Sequence, residues 1–134
     1  MESSCLEKKK HILIVDDEPT LLMSYRLIFE MQGYKSSSAL NAVEAKILLA
    51  SNEIDLLLCD LTLGPGQTGT EVIEYARSLS PEMPCALATG YNTQELEEWA
   101  QQYGTTLLQK PIPIHRLLQT IAQLLTTSRR RKTA

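Results

Sequence analysis

Five short apolar runs alternate with segments of helical periodicity along the chain, and this alternation limits the possible folds more than any other feature. The first and third runs are almost continuously apolar, as expected for central strands covered on both faces. Strict alternation of strand and helix predicts parallel strands joined by right-handed crossovers. The expected fold is α/β, one domain with a five-stranded parallel sheet and helices on both faces. The runs are 11–16, 34–38, 54–60, 83–89 and 105–109.

Helix start signals lie between the runs. Pro19 can occupy the first turn of a helix that ends before Gly33. Three further helices are expected where a capping side chain precedes a glutamate by three residues, at Asn41, Thr68 and Asn92. After Pro113, an apolar stripe at helical spacing predicts the last helix through Leu117, Leu118, Ile121, Leu124 and Leu125.

Length and charge narrow the functional class. A chain of 134 residues suits one domain, expected over 10–126 between an N-terminal tail, 1–9, and a basic C-terminal tail, 127–134. With a net charge of −3, we expect no nucleic-acid or membrane partner. No apolar run approaches the roughly 20 residues of a membrane span, and MESSCLEKKK does not resemble a signal peptide. Three cysteines without CxxC spacing are expected to be reduced thiols, and the expected location is the cytoplasm.

Chemically active residues follow four of the five predicted strands. Asp16 and Asp17 follow the first, Asp60 ends the third, Thr89 ends the fourth and Lys110 follows the fifth. Because the carboxyl ends of parallel strands meet at one sheet edge, these groups should converge there. Three close carboxylates repel each other unless a cation neutralises them, and Mg²⁺ prefers such oxygen ligands. Phosphoryl transfer needs mainly positioning and charge neutralisation, so Asp60 is a candidate nucleophile toward a phosphoryl group.

This set, in this order and spacing, closely resembles the receiver domain of two-component response regulators. The resemblance covers residues 11 to about 126 and implies a flavodoxin-like doubly wound fold with strand order 2-1-3-4-5, which is the order of a chemotaxis regulator of this family. The motifs that carry it are Asp16-Asp17, Asp60, Thr89-Gly90 and Lys110-Pro111.

The resemblance implies roles for these residues. Asp60 would accept a phosphoryl group from a histidine kinase or phosphotransfer protein. Asp17, Asp60 and the backbone carbonyl of Thr62 would bind Mg²⁺, with Asp16 acting partly through water. Lys110 would pair with the phosphoryl group, and the peptide bond between Lys110 and Pro111 would be cis.

The output implied by the resemblance is binding. Thr89 would move toward the phosphoryl group and favour another arrangement of the face formed by helix 4, strand 5 and helix 5, where a downstream protein partner binds. The chain is expected to be a monomer or weak dimer. It is not expected to be an enzyme, except that it assists its own phosphorylation and dephosphorylation.

Three positions depart from the family pattern. Leu107 stands where the family often has an aromatic residue, three residues before the lysine. The loop LTLGPGQTG is about one residue longer than usual before Gly69. After the last helix the sequence reads TTSRRRKTA, from which no output domain is expected. The resemblance further implies that the phosphoryl lifetime depends on the residues two past Asp60 and two past Thr89, here Thr62 and Tyr91. Tyr91 is bulky enough to hinder an attacking water, so slow self-dephosphorylation is expected.

Other interpretations remain. A degenerate receiver could serve only as an interaction scaffold, which Leu107 keeps open. An aspartyl-nucleophile phosphohydrolase would need an acid at Thr62. A flavin-binding carrier would need a phosphate-binding loop where this chain has DDEP. Whether the chain is free-standing or excised from a larger regulator or hybrid kinase stays open. Some residues have an ordinary structural explanation: the histidines are expected at the surface, Cys59 in the core and Trp99 at the core margin.

Overall fold

The computed structural model describes residues 8–133 and, among these, the side chains up to residue 127. Strands and helices alternate throughout, as predicted. The elements are β1 (His11–Val15), α1 (Pro19–Met31), β2 (Lys35–Ala39), α2 (Ala42–Ser51), β3 (Leu56–Asp60), α3 (Gly69–Leu79), β4 (Cys85–Thr89), α4 (Gln94–Gln102), β5 (Thr106–Gln109) and α5 (Ile114–Thr133).

All neighbouring strands pair in parallel, in the order β2-β1-β3-β4-β5. The fold class and the strand order are therefore confirmed. Every residue of β1, β3 and β4 is buried, whereas β2, with the sequence KSSSA, lies at the edge and is only partly buried. The apolar runs thus occupy the centre of the sheet, where helices cover both faces.

Alternate residues of each central strand enter two separate cores. Leu13 and Val15 of β1 belong to one core with the buried side chains of α2 and α3. Ile12 and Ile14 belong to the other core, where Leu22 and Phe29 of α1 and Leu117, Ile121 and Leu125 of α5 pack. The sheet is held rigid between these layers, so the ends of its strands are fixed relative to one another.

The buried cysteines are part of the first core. Cys59 and Cys85 are free thiols on β3 and β4. Burial raises the pKa of Cys85 to about 11 and that of Cys59 well above its usual range. The expectation that Cys59 lies in the core is confirmed, and Cys85 lies there too, while Cys5 lies outside the described residues.

The helix start signals hold at three of four positions. Pro19 opens α1, and the Asn41 side chain accepts the N–H of Glu44. Thr68 is the N-cap residue of α3, although its hydroxyl bonds to that of Thr70. The prediction of Asn92 as the cap of α4 was wrong. Thr93 is the N-cap, because its hydroxyl accepts the N–H of Leu96 and the helix begins one residue later.

The domain boundary expected at residue 126 falls inside a helix, since α5 continues to Thr133. The stretch after residue 126 contains no glycine or proline to end the helix, and its arginines and lysine are good helix formers. Residues 1–7 of the expected N-terminal tail lie outside the described part. Among the described residues, no helix combines the length and apolar character needed to cross a membrane.

At the amino edge of the sheet, which is the end where the parallel strands begin, charged side chains form hydrogen bonds to neighbouring groups. His11 was expected at the surface, but it is only 6% exposed and its Nε2 lies 2.7 Å from the Ser37 hydroxyl. The edge strand β2 leaves a polar partner there, which makes burial of the imidazole possible. The His11 amide donates to the Asp55 carboxylate at 2.8 Å. His115 is exposed, as expected.

Arg77 organises the same edge on the other side of the sheet. It lies in the last turn of α3 and donates to backbone carbonyls that precede β4 and β5. One guanidinium therefore donates to four backbone carbonyls that lie outside the hydrogen bonding of the strands. Those acceptors are the carbonyl oxygens of Pro81, Met83, Tyr103 and Gly104, at 2.9, 2.5, 2.8 and 2.7 Å.

Candidate functional site

Three carboxylates meet at the carboxyl edge of the sheet. Asp16 follows β1 and Asp60 ends β3, and both are buried, at 2% and 9% exposure. Asp17 is exposed beside them. One carboxylate oxygen from each residue lies within 4.8 Å of the other two. The structure therefore brings together the three acids that the sequence placed at this edge, because β1 and β3 are direct neighbours.

Lys110 supplies the positive charge of this cluster. Its Nζ lies 3.0 Å from Oδ1 of Asp60 and 3.4 Å from Oδ2 of Asp16. The Lys110 amide donates to the Thr89 carbonyl at 2.8 Å, and the peptide bond to Pro111 is cis, as the resemblance implied. The lysine is thus held at the end of β5 with its ammonium between two buried carboxylates.

Burial and charge act against each other here. Burial raises the pKa of Asp60, the hydrogen bond from Lys110 lowers it, and the negative charge of Asp16 raises it again, with a net rise. Burial would lower the pKa of Lys110, but its bonds and attraction to Asp60 and Asp16 raise it overall. The site therefore favours the charged ammonium of Lys110 and disfavours the ionised form of Asp60.

The residues present fit a hard divalent cation. The three acids carry more negative charge than Lys110 neutralises, and their oxygens are close enough together to share one ion. Asp16 is oriented by the amide of Glu18, which donates to its Oδ1 at 3.0 Å. An all-oxygen set with an exposed member leaves room for retained waters, as Mg²⁺ requires. Thr62 lies two residues after Asp60, in an isolated bridge with Thr68.

Thr89 is buried at the end of β4, and its hydroxyl is engaged within the following loop. Its Oγ1 donates to the Tyr91 carbonyl at 2.5 Å and accepts the Tyr91 amide at 3.2 Å. Gln109 donates from Nε2 to the Gly90 carbonyl at 2.8 Å. The Tyr91 side chain is 66% exposed. In this structure Thr89 therefore shapes the β4–α4 loop.

Leu107, at the position of the family's frequent aromatic residue, is half-buried and packs against the same core as Leu96 and Trp99. The Trp99 indole donates to Glu74 of α3 at 2.8 Å, and its ring lies 5.3 Å from that of Tyr103. Trp99 therefore lies at the core margin, as expected. On this side of the sheet, Tyr75 of α3 and Trp99 of α4 pack against the core, and β5 contributes no aromatic residue.

Sequence reasoning missed the reason for one glycine near the site. A Cβ at Gly69 would lie 2.2 Å from the carbonyl oxygen of Asp60 and 2.8 Å from Leu87. The Gly69 amide donates to the Leu61 carbonyl at 2.7 Å. The start of α3 thus passes directly against the backbone of the central acid, which only a residue without a side chain allows. The sequence signal, a glycine at a helix start, was ambiguous.

Two depressions differ in their relation to these acids. A groove of about 510 Å³ runs beside Lys110 between α1 and the loop before α5, with an apolar lining that includes Leu21, Tyr25, Ile28 and Ile112. A larger depression of about 620 Å³ lies at the amino edge among Lys8, Lys9, Lys10 and Lys35. The larger one holds none of the site residues.

The fold and the site together define a doubly wound α/β domain with three carboxylates and a lysine gathered at the carboxyl edge of its parallel sheet. Residues 12–122 match the response regulator receiver domain family, and the chain belongs to this family. Its architecture is similar to that of a CheY-like receiver domain protein from Methanospirillum hungatei, at 32% identity and a TM-score of 0.87 over 92% of this chain and 99% of that one.

Curated relatives extend this comparison. The chain is 31% identical over 118 residues to the response regulator protein PilR of Pseudomonas aeruginosa, covering 87% of this chain and 26% of PilR. It is 31% identical over 121 residues to the response regulator SaeR of Staphylococcus aureus, covering 87% and 50% of the two chains. The chain therefore spans about a quarter to a half of these relatives, and it is a receiver domain of the two-component type.

Proposed function

We propose that this receiver takes a phosphoryl group onto Asp60 from a phosphohistidine of a histidine kinase or phosphotransfer protein. The observation that carries the proposal is the cluster itself. Asp60 is buried at the end of a strand, its Oδ1 lies 3.0 Å from Nζ of Lys110, and one of its carboxylate oxygens lies within 4.8 Å of a carboxylate oxygen of Asp16 and of Asp17. Mg²⁺ would be held by Asp17, Asp60 and the carbonyl of Thr62, with Asp16 acting partly through water.

The chemistry follows from the atoms present. A carboxylate oxygen of Asp60 attacks phosphorus, a P–O bond forms, the P–N bond to the donor imidazole breaks, and the imidazole keeps the electron pair and takes up a proton. Lys110 stabilises the charge on the phosphoryl oxygens, and Thr89 donates its hydroxyl proton to one of them. The bound cation would neutralise the carboxylates and the incoming phosphoryl group. Asp16 holds Lys110 in position from the other side.

The groove beside Lys110 supports a protein as phosphodonor. Its lining is mainly apolar and comes from one face of α1 together with Ile112 and Ile114. An imidazole that reaches Asp60 must arrive on a protein surface, and an amphipathic helix packing in this groove would bring it there. Small phosphodonors would reach the same carboxylate without this contact.

The output is a change in binding. Phosphorylation would shift the population of the α4–β5–α5 face, to which a downstream protein partner binds. This role needs no turnover of a substrate, so the chain acts as a switch and assists only its own phosphorylation and dephosphorylation. We propose a monomer or weak dimer, with neither nucleic acid nor membrane as a partner of the domain.

A scaffold without phosphorylation is the second candidate, and Leu107 is the observation that favours it, because the frequent aromatic of that position is missing. An aspartyl phosphohydrolase is a weaker third candidate, since Thr62 provides no acid two residues after Asp60. The scaffold predicts no covalent modification of Asp60, and the hydrolase predicts continued release of phosphate, so both differ from the proposed function.

Intact mass after incubation with Mg²⁺ and acetyl phosphate tests the proposal, with Asp60→Asn as the matched control. We expect one added phosphoryl group that requires Mg²⁺ and is absent from the control. Clear Mg²⁺ binding without modification, even with a phosphohistidine donor, would support the scaffold. Release of many equivalents of phosphate for each protein molecule would support the hydrolase.

The lifetime of the phosphoryl group is a further part of the proposal. Tyr91 carries a large side chain two residues after Thr89 and would hinder an attacking water. We expect slow self-dephosphorylation that Tyr91→Ala accelerates, measured as loss of the added mass after removal of the donor. A wild-type rate that Tyr91→Ala does not increase would contradict this role.

A further inference from the structure

The loop after Asp60 has its own closed set of hydrogen bonds. The Leu63 amide donates to the Gln67 carbonyl and the Gln67 amide to the Gly64 carbonyl, each at 3.2 Å. Gly64 and Gly66 have φ values of 104° and 74°, which give the loop its tight turns. Such a glycine-rich loop has many conformations available to it, so its position depends on attachments to the rest of the domain.

One attachment is made by the side chain of Gln67. Its Oε1 accepts the amide of Ala42 at 2.9 Å. Ala42 is the buried first residue of α2, and an amide in this position has no acceptor within its own helix. The carboxamide of Asn41, the N-cap residue, is already bonded to the amide of Glu44. Gln67 therefore caps a helix that lies 25 residues away in sequence.

The position of this bond connects the helix to the proposed metal site. Thr62, whose carbonyl is the proposed ligand, precedes Leu63, and Leu63 is bonded to the backbone of Gln67. The bridge between Thr62 and Thr68 encloses Gln67 within the same small loop. The position of the Gln67 side chain is therefore linked to the Thr62–Leu63 peptide, which carries the proposed ligand carbonyl, through the Leu63–Gln67 hydrogen bond and the Thr62–Thr68 bridge.

We propose that Gln67 is a positioning residue, which holds the Thr62 carbonyl in the metal site by fixing the β3–α3 loop to the start of α2. This inference rests on the proposed function, since it concerns the Mg²⁺ site. Residues that orient a metal ligand commonly change metal affinity strongly when they are removed. Coupling between two sites is reciprocal, so occupation of the metal site should also strengthen the bond at Ala42.

The experiment compares four proteins: wild type, Gln67→Leu, Gln67→Glu and Gln102→Leu. Leucine keeps the size of the side chain without an acceptor, glutamate keeps an acceptor for the helix amide, and Gln102 is an exposed glutamine on α4. Mg²⁺ affinity is measured by calorimetric titration. We expect Gln67→Leu to bind Mg²⁺ about tenfold more weakly, and Gln67→Glu and Gln102→Leu to remain close to wild type.

Amide hydrogen exchange gives a readout that does not need the metal. Without Mg²⁺, Gln67→Leu should exchange faster at Ala42 and Leu63, and Gln67→Glu should not. With Mg²⁺, the Ala42 amide of wild type should exchange more slowly. Equal Mg²⁺ affinity in wild type and Gln67→Leu would overturn the inference while leaving the proposed function standing. Absence of Mg²⁺ binding and of Asp60 modification in wild type would overturn both.

Discussion

The two edges of the sheet use charged side chains in opposite ways. At the amino edge, the amide of His11 bonds to Asp55 and its ring to a serine, and Arg77 donates to four backbone carbonyls. At the carboxyl edge, three carboxylates share a small volume, with Lys110 as the cation that contacts two of them. The amino edge has its hydrogen-bonding capacity committed to the fold, whereas the carboxyl edge retains negative charge.

This difference shows that residue type alone does not make a site. Arg77 and Lys110 are both half-buried cations whose charged groups lie beside the ends of strands. Arg77 satisfies backbone acceptors, which every structure must do. Lys110 faces carboxylates that repel each other, and that arrangement becomes favourable only when further positive charge arrives. Removal of charge should therefore have opposite effects on stability at the two edges.

The largest effect is expected for Arg77→Met. Methionine keeps much of the aliphatic volume but removes the guanidinium from all four carbonyls. The Tyr103 and Met83 carbonyls keep weaker donors in Thr105 and Cys85, whereas those of Pro81 and Gly104 lose their side-chain donor, so the free energy of unfolding should fall by about 3 kcal/mol. Urea denaturation measures this, with Arg116→Met on the exposed side of α5 as the control. A loss no greater than that of the control would mean that water replaces the guanidinium without cost.

Gly69→Ala should lower the stability of the fold less than Arg77→Met does, but it should also weaken Mg²⁺ binding. Its Cβ would press on the Asp60 carbonyl, so unfolding should become easier by about 2 kcal/mol. Unlike Arg77→Met, the variant should also lose Mg²⁺ affinity while folded, because the backbone of Asp60 must shift. Gly90→Ala is the control, since a Cβ there meets nothing within 4 Å. Unchanged Mg²⁺ affinity in folded Gly69→Ala would separate this contact from the site.

Asp60→Asn is expected to act in the opposite direction. Burial and the charge of Asp16 raise the pKa of Asp60, so the folded state favours the neutral form. Stability should therefore fall as pH rises from the pKa of this carboxyl in the unfolded chain to its raised pKa in the folded protein, and it should stay lower above both. In Mg²⁺-free buffer near pH 7, the variant should be more stable, by on the order of 1 kcal/mol.

Mg²⁺ should reverse the order of these two proteins. At a concentration 100 times its Kd, the cation would add about 2.7 kcal/mol to wild type and less to the variant. Thermal denaturation with and without Mg²⁺ measures both effects. A variant less stable than wild type in the absence of Mg²⁺ would contradict the idea of excess negative charge at this edge.

The smallest effect concerns pH and the amino edge. Burial and the charge of Lys35 lower the pKa of His11 below its ordinary value of 6.5, although Asp55 opposes this. The unfolded chain therefore binds the proton more readily, and stability should fall as pH drops below 6.5. His11→Gln should lose part of this dependence and exposed His115→Gln should keep it, in denaturation at pH 7.5 and 5.5. Identical pH dependence in all three proteins would contradict the assignment.

Much of this architecture was predictable because it depends on periodicity. Strand–helix alternation determines a parallel sheet, and a parallel sheet brings the ends of its strands to one edge. Asp16, Asp60 and Lys110 could be placed together on that basis alone. The edge position of β2 was also predictable, because its three consecutive serines do not suit a doubly covered strand.

The parts that could not be predicted depend on individual contacts. The bond from Ala42 to Gln67 spans 25 residues, and the four acceptors of Arg77 include carbonyls 26 and 27 residues away. No local pattern marks such partners. The choice of Thr93 over Asn92 as a cap was a difference of one residue between two good capping side chains, which tertiary packing decides.

The hydroxyl of Thr89 has a single proton, and in this structure the Tyr91 carbonyl receives it. The same proton cannot be donated to a phosphoryl oxygen at the same time. The present shape of the β4–α4 loop and a bond from Thr89 to a phosphoryl group are therefore mutually exclusive states. Under the proposed function, this exclusion would pass the state of Asp60 to the start of α4 through the backbone alone. The signal would then not need an aromatic ring at position 107, so a phosphorylated Asp60 together with Leu107 would exclude the scaffold.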